Sequence, residues 1–239
     1  MSLTYITPLV FPALAHHTAT VIFFHGLGDT RDGWSFAVEN WRRRQRLNEV
    51  KFILPQAPNI PITVNGGARM PGWYDIASMS ADPEALRRNE DKDGILRTQQ
   101  HVFGLIQKEI DSGIPADRIV LGGFSQGGAV SIFSGLTAKV KLAGVVGLSA
   151  YLLLSNQFTT YLPTPNVNKE TPIFMGHGDS DMVVNTIIGK KTYDVLKDLG
   201  YNVDFKLYPN LEHSASPEEI LDVESFLIKV LPTKGKEEL

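Results

Sequence analysis

Arg118-Ile-Val-Leu-Gly-Gly-Phe-Ser125-Gln-Gly-Gly-Ala-Val130 is the stretch that decides how this 239-residue chain is read. Its opening, residues 118–122, has the unbroken apolar character of a strand buried on both faces. The run then breaks into glycines around one serine and resumes with small residues that begin a helix. Gly123-Phe124-Ser125-Gln126-Gly127 is a G-x-S-x-G match. Such a turn forces the serine into a strained backbone conformation, and side chains at the flanking positions would collide with neighbouring elements. The helix that follows points its first N–H groups and its positive dipole end at the serine. Taken alone, the pattern also fits a glycine-rich turn in any α/β protein, so the other reactive groups must be found elsewhere.

Working outward, short β-rich apolar runs alternate with amphipathic segments, which predicts a mainly parallel sheet with helices on both faces. The expected strands cover residues 20–24, 51–54, 118–122, 142–148, 171–175 and 203–208. Ile95, Val102, Ile106 and Ile110 fall on one helical stripe across residues 95–110. A second helix is expected over residues 186–199, stopped by Gly200. The last has the clearest start: Ser216 as cap, Pro217 at the first helical position and Glu219 closing a capping box. It should reach about residue 231. No repeat or linker interrupts the pattern, so one domain is expected across residues 1–239, its core spanning about 18–231. A short lead precedes that core, and a charged tail, expected to fray, follows it.

A serine hydroxyl is a poor nucleophile until a base takes its proton. On an α/β-hydrolase sheet the chain order is serine, acid, histidine. Of the six histidines only His177 and His213 follow Ser125. His213 lies after the expected strand 203–208 and just before the capped helix, at the carboxyl edge of the sheet where Ser125 should also lie. His177, inside Gly176-His177-Gly178-Asp179, is expected to orient its loop instead. The acid belongs in that same loop, where Asp179 and Asp181 both qualify and the spacing does not choose between them. The oxyanion of an acyl-transfer intermediate needs preorganised N–H donors. One is the N–H of Gln126, directly after the nucleophile. The second is assigned to Leu27 in Phe23-Phe24-His25-Gly26-Leu27-Gly28-Asp29, where glycines permit close approach.

Composition bounds the rest. With 43% hydrophobic and 21% charged residues, the chain has the material for a sizeable core. A net charge of −3 gives no reason to expect nucleic acid as a partner. The count of cysteines is zero, which excludes disulfides, thiolate nucleophiles and cysteine-ligated metals. No metal or cofactor is expected, because His16-His17 sits too close for ligands on one helix face. The first residues lack the pattern of a secretory leader, and Ser2 stands where myristoylation requires glycine. The ending Lys236-Glu237-Glu238-Leu239, close to an ER-retention tetrapeptide, is read as a solvated tail. Arg42-Arg43-Arg44-Gln45-Arg46 is read as a solvated helix face, with contact to anionic lipid as the lesser reading.

Five motifs in order resemble one family. They are His25-Gly26-Leu27-Gly28-Asp29, Met70-Pro71-Gly72-Trp73-Tyr74-Asp75, Gly122-Gly123-Phe124-Ser125-Gln126-Gly127-Gly128, His177-Gly178-Asp179-Ser180-Asp181 and Glu212-His213-Ser214. They are similar to the acyl-protein thioesterase and lysophospholipase family, the phospholipase/carboxylesterase group of α/β-hydrolases, from about residue 20 to 230. The resemblance implies a cytosolic serine hydrolase that removes long acyl chains from cysteines of lipidated proteins. Relatives also cleave lysophospholipids and simple esters. It selects Asp181 over Asp179 as the catalytic acid, completing Ser125, Asp181 and His213. Three departures stand out: Met182 and Asn185 where the family often has prolines, Tyr151 for a tryptophan beside the acyl channel, and Glu212 for a methionine.

About twenty residues separate the expected strands 142–148 and 171–175, too few for a large cap domain, and an open site suits a substrate held on a protein or micelle. Tyr151, Leu152 and Trp73 are the candidate substrate-binding residues, with residues 61–73 as another wall. S-acylated proteins or lysophospholipids are the expected substrates. Transient contact with a membrane surface and a homodimer over the acyl groove fit the same reading. The cytoplasm is the expected compartment, with the nucleus also open.

Overall fold

The computed structural model describes residues 4–78 and 89–235; Ser2 and the tetrapeptide Lys236-Glu237-Glu238-Leu239 lie outside the described residues. In chain order the strands are β1 (Leu9–Phe11), β2 (Ala19–Phe24), β3 (Val50–Leu54), β4 (Asn59–Ile62), β5 (Ala68–Pro71), β6 (Ile119–Phe124), β7 (Gly144–Leu148), β8 (Ile173–Gly178) and β9 (Val203–Tyr208). The helices are α1 (Ser35–Arg43), α2 (Lys92–Asp111), α3 (Gln126–Thr137), α4 (Thr186–Asp198) and α5 (Pro217–Val230).

Seven strands make one sheet in the order β1-β3-β2-β6-β7-β8-β9. All neighbours pair in parallel except β1, which runs antiparallel to β3 at the edge. Alternate side chains of each central strand enter different cores, as the pleat requires. Ile22, Phe24, Leu121 and Val145 pack with α2, α3 and α4 on one face. Val21, Phe23, Val120 and Val146 pack with α1 and α5 on the other. The indole N–H of Trp41 donates to Ile220 O at 3.0 Å and ties those last two helices together. Helices therefore cover both faces, and β6 is central because both its neighbours bury it.

The caps are those that the side chains dictate. Asp91 accepts from the Gly94 N–H at 2.9 Å at the start of α2. Ser216 accepts from the Glu219 N–H at 3.0 Å at the start of α5. Helix α4 stops at Gly200, whose φ of 77° is the left-handed conformation that glycine adopts without strain. The connection from β7 to β8 holds only the 3₁₀ turn Phe158–Tyr161, so no cap domain stands there.

Three local expectations change. The strand expected at 171–175 starts after Pro172, which has no N–H to give to the ladder, and runs on to Gly178 because it pairs with β9 as far as Tyr208. His177 thus lies inside a strand, not after it. The tail is pinned through residue 235: the N–H groups of Lys234 and Gly235 donate to the Glu49 carboxylate at 3.0 and 3.2 Å. The arginine cluster is largely engaged internally. Arg42 lies 5.7 Å over the Phe11 ring and donates to Pro12 O. Arg44 and Arg46 face the buried Glu224 carboxylate at 2.7 and 3.7 Å.

Candidate active site

β6 ends at Phe124 and α3 begins at Gln126, leaving Ser125 alone on the turn with φ 53° and ψ −122°. A side-chain residue at positive φ stores strain that the surroundings must hold in place. The two glycines explain how. A Cβ on Gly123 would lie 2.4 Å from the Gly127 carbonyl carbon, and one on Gly127 would lie 2.2 Å from Phe24 O. Only glycine lets strand, turn and helix pack this closely. The Ser125 N–H is anchored to Leu148 O at 2.8 Å.

His213 arrives on the loop between β9 and α5. Its Nε2 is 3.0 Å from Ser125 Oγ and its Nδ1 is 2.7 Å from Asp181 Oδ2. An ionised carboxylate only accepts, so Nδ1 carries the proton and Nε2 is free to accept from the serine hydroxyl. The Phe124 ring packs against the imidazole at 4.7 Å between centroids. Asp181 is buried, with its other oxygen accepting the N–H groups of Val183 and Val184, both at 2.9 Å. Burial pushes its carboxyl up, but the His213 hydrogen bond and charge, together with those two N–H groups, outweigh it and hold the pKa below the ordinary carboxylate range.

Asp179, the other candidate acid, is exposed and turned elsewhere. Its Oδ1 accepts from the Asn210 N–H and from Ser180 Oγ, each at 2.8 Å. His177 is wholly buried and donates from Nε2 to Val184 O at 2.8 Å, bracing the loop that carries Asp181. Burial lowers its pKa, so it stays neutral.

The loop after β2 brings Gly26, the residue before Leu27, against the elbow: a Cβ on Gly26 would lie 3.4 Å from Ser125 Cβ. As first residue of α3, Gln126 has an N–H with no acceptor inside the helix. Among the described residues the Leu27 N–H donates to no backbone carbonyl. His25 holds the intervening peptide. Its Nδ1 donates to Gly26 O at 2.7 Å, while its Nε2 accepts the Ala57 N–H at 3.1 Å. Burial lowers its pKa, consistent with this neutral tautomer.

The three candidate substrate-binding residues meet different environments. Trp73 is 0% exposed, with its indole N–H donating to His25 O at 2.8 Å. No face of the ring is left exposed, so the expectation that it lines the groove is corrected: it packs behind the loop after β2, against Phe24 and His25. Tyr151 hydrogen-bonds Tyr74 through their hydroxyls at 2.9 Å, and burial pushes its phenol up to about 12. Leu152 is buried against α4 and donates its N–H to Thr192 Oγ1 at 3.0 Å.

One group near the site was given only a capping role by the sequence. Glu219 is fully buried at the start of α5, against Gly176 of β8. Burial pushes its carboxyl up to about 8; the Ser216 N–H opposes this and the charges of Asp222 and Asp181 reinforce it. The nearby Tyr208 hydroxyl of β9 donates to Asp222 Oδ2 at 2.7 Å instead, which leaves the Glu219 carboxyl without a side-chain donor among the described residues. In the unfolded chain Glu219 ionises near the usual 4.5, whereas the folded protein keeps the proton to about pH 8. Between these values the native state binds more protons, so stability falls as pH rises through that window and then levels off. Glu219→Gln should therefore leave Tm unchanged near pH 4 and raise it by roughly 5 °C or more at pH 8. Thermal melts of both proteins across that range check this; parallel curves would exclude it.

Among the described residues no cluster of three or more histidine or carboxylate side chains could hold a metal ion. None of the described helices is long and apolar enough to cross a membrane.

Comparison with known proteins places the chain in one family. The Phospholipase/Carboxylesterase family model matches residues 7–231. The acyl-protein thioesterase 1 of Neurospora crassa is 65% identical over 94% of this chain and 92% of its own length. That of Gibberella zeae is 57% identical over 98% of this chain and 100% of its own. The crystal structure of Zea mays acyl-protein thioesterase 2 superposes with a TM-score of 0.79 at 30% identity, covering 94% of this chain and 98% of that one.

Proposed function

Because the chain belongs to the phospholipase/carboxylesterase family, we propose that it is a serine thioesterase releasing long-chain fatty acid from S-acylated proteins. The observation that carries this reading is the continuous line from Ser125 Oγ through His213 to Asp181, with contacts of 3.0 and 2.7 Å. The names of the Neurospora crassa and Gibberella zeae relatives support the choice of substrate.

Ser125 Oγ attacks the thioester carbonyl as His213 Nε2 takes its proton. Charge collects on the former carbonyl oxygen, which the N–H groups of Leu27 and Gln126 hold. Collapse breaks the carbon–sulfur bond, and the imidazolium returns the proton to the departing cysteine sulfur. Water then gives a proton to the same imidazole as it adds to the acyl-serine; the carbon–oxygen bond to Ser125 breaks, the imidazolium returns the proton to Ser125 Oγ, and free fatty acid leaves. Asp181 fixes the imidazole tautomer and balances its transient charge. Tyr151 and Leu152 remain our choice for the inner wall of the acyl groove.

The exposed side chains of Met182, Val183 and Ile187 beside Asp181 support transient contact with a membrane surface, where acylated cysteines lie. A homodimer over the acyl groove and a cytoplasmic setting, with the nucleus open, belong to the same reading. Hydrolysis of lysophospholipids is the alternative that the family's description favours. Palmitate release from an S-palmitoylated peptide, measured beside palmitoyl lysophosphatidylcholine, separates the two. Faster cleavage of the peptide is expected; faster cleavage of the lipid would move the function to lysophospholipid hydrolysis.

A further inference from the structure

The two N–H groups assigned to the oxyanion come from loops 99 residues apart in sequence, Leu27 after β2 and Gln126 after β6. Something must set their separation, because an oxyanion responds only to donors at hydrogen-bond distance from where it forms. The segment 71–74, which begins with the last residue of β5 and carries no reactive group, hydrogen-bonds to both sides.

On the elbow side, the Gln126 side chain clamps this segment. Its Oε1 accepts the Trp73 N–H at 2.8 Å and its Nε2 donates to Tyr74 O at 2.7 Å. Only one amide orientation satisfies both partners, and the side chain is buried. On the other side, the Trp73 indole N–H donates to His25 O at 2.8 Å, and the Gly28 N–H donates to Pro71 O at 2.8 Å. His25 in turn holds Gly26 O through Nδ1. In a planar trans peptide, Gly26 O and the Leu27 N–H point in opposite directions, so fixing one aims the other. A Cβ on Gly72 would meet Leu27 Cδ1 at 3.2 Å, so the segment also touches that side chain. Thr98 donates from Oγ1 to Trp73 O and secures the middle of the bridge to α2.

We propose that the Gln126 side chain and Trp73 are positioning residues, forming a bridge that holds the Leu27 and Gln126 N–H groups at the spacing an oxyanion requires. This rests on the serine hydrolase reading above, but not on which acyl substrate is physiological. The bridge acts on the transition state. A displacement near 1 Å can cost about 100-fold in rate without altering ground-state binding.

The test uses Gln126→Met, Trp73→Phe and their combination in the full chain. Hydrolysis of a p-nitrophenyl acyl ester and inhibition by an alkyl trifluoromethyl ketone, which forms a hemiketal on serine, are measured for each. Active sites are counted by fluorophosphonate titration, so that a misfolded fraction does not enter kcat. Each single variant should lose about 10- to 100-fold in kcat per titrated site, with KM changed less than about threefold. Ketone affinity should fall in parallel with kcat. The double variant should lose much less than the product of the singles, because both act on one bridge. Unchanged kcat per site in both singles would overturn the bridge alone, whatever happens to Tm. A wild-type chain inert to ester, ketone and fluorophosphonate would overturn the bridge together with the reading on which it rests. If Gln126→Met yields no titratable sites, Trp73→Phe decides, since it removes the indole N–H, keeps an aromatic ring and leaves the main-chain bond to Gln126 in place.

Discussion

Ser125→Ala is expected to lower kcat on a thioester substrate by about 10⁴- to 10⁶-fold while leaving the fold intact. The size of the loss follows from the covalent role proposed for Oγ: no other group at the turn can form the acyl intermediate. The small structural cost follows from the contacts. The hydroxyl's hydrogen-bond partner is His213, and alanine keeps the Cβ that the elbow already accommodates. The variant should also fail to react with a fluorophosphonate, and its Tm should lie within a few degrees of wild type. Turnover retained within about tenfold, in a preparation free of contaminating esterase, would remove Ser125 from the nucleophile's role. Loss of activity with loss of folding would instead leave the nucleophile to be decided by mass-spectrometric location of the fluorophosphonate adduct in wild type.

The second large effect separates two carboxylates two positions apart. Asp181→Asn should cost on the order of 10⁴-fold in kcat, because an amide facing Nδ1 favours the imidazole tautomer that cannot accept the serine proton. It also removes the negative charge that balances the imidazolium. Asp179→Asn should cost less than about tenfold, since Asp179 holds Asn210 and Ser180 through hydrogen bonds at 2.8 Å and has no contact with the imidazole. Its effect should appear mainly as a lower Tm, as the loop between β9 and His213 loosens. The paired measurement is kcat for both variants on one substrate. Equal losses, or a larger loss at position 179, would reverse the assignment of the acid.

Both predictions concern residues that the sequence singles out. The central strand, the elbow and the capped last helix are written in local patterns: an unbroken apolar run, glycines on either side of a serine, and Ser216 followed by Pro217 and Glu219. These depend on backbone sterics and on groups within a few residues, so the chain carries them openly. The order of strand, acid loop and histidine loop likewise narrows the base to His213, because a parallel sheet places successive loops along one edge.

Other features depend on partners distant in sequence. β1 has only three residues of intermediate or full exposure and exists through its pairing with β3. The antiparallel pair β4–β5 runs through Pro61 and Pro71, which give the ladder no N–H and mask the hairpin signal in the alternation of Ile60 and Ile62 before Asn65-Gly66. The arginine cluster reads as a solvated face until Glu224, some 180 residues away, is seen beneath Arg44. Trp73 reads as a groove wall until folding closes Phe24 and His25 over it.

The sequence by itself marked the sheet's central strand and the glycine-flanked Ser125 from residues close along the chain, His213 from the order of the strands, and two candidate acids, of which the family resemblance selects Asp181. Only the tertiary structure showed that Asp181 Oδ2 meets His213 Nδ1, that Glu219 is buried against β8, and that Gln126 and Trp73 tie the elbow to the loop after β2. The first and last of those outcomes depend on hydrogen bonds of 2.7 to 3.0 Å between elements remote in sequence. Hydrogen bonds of that kind are fixed by how elements pack, and packing is a property of the whole chain.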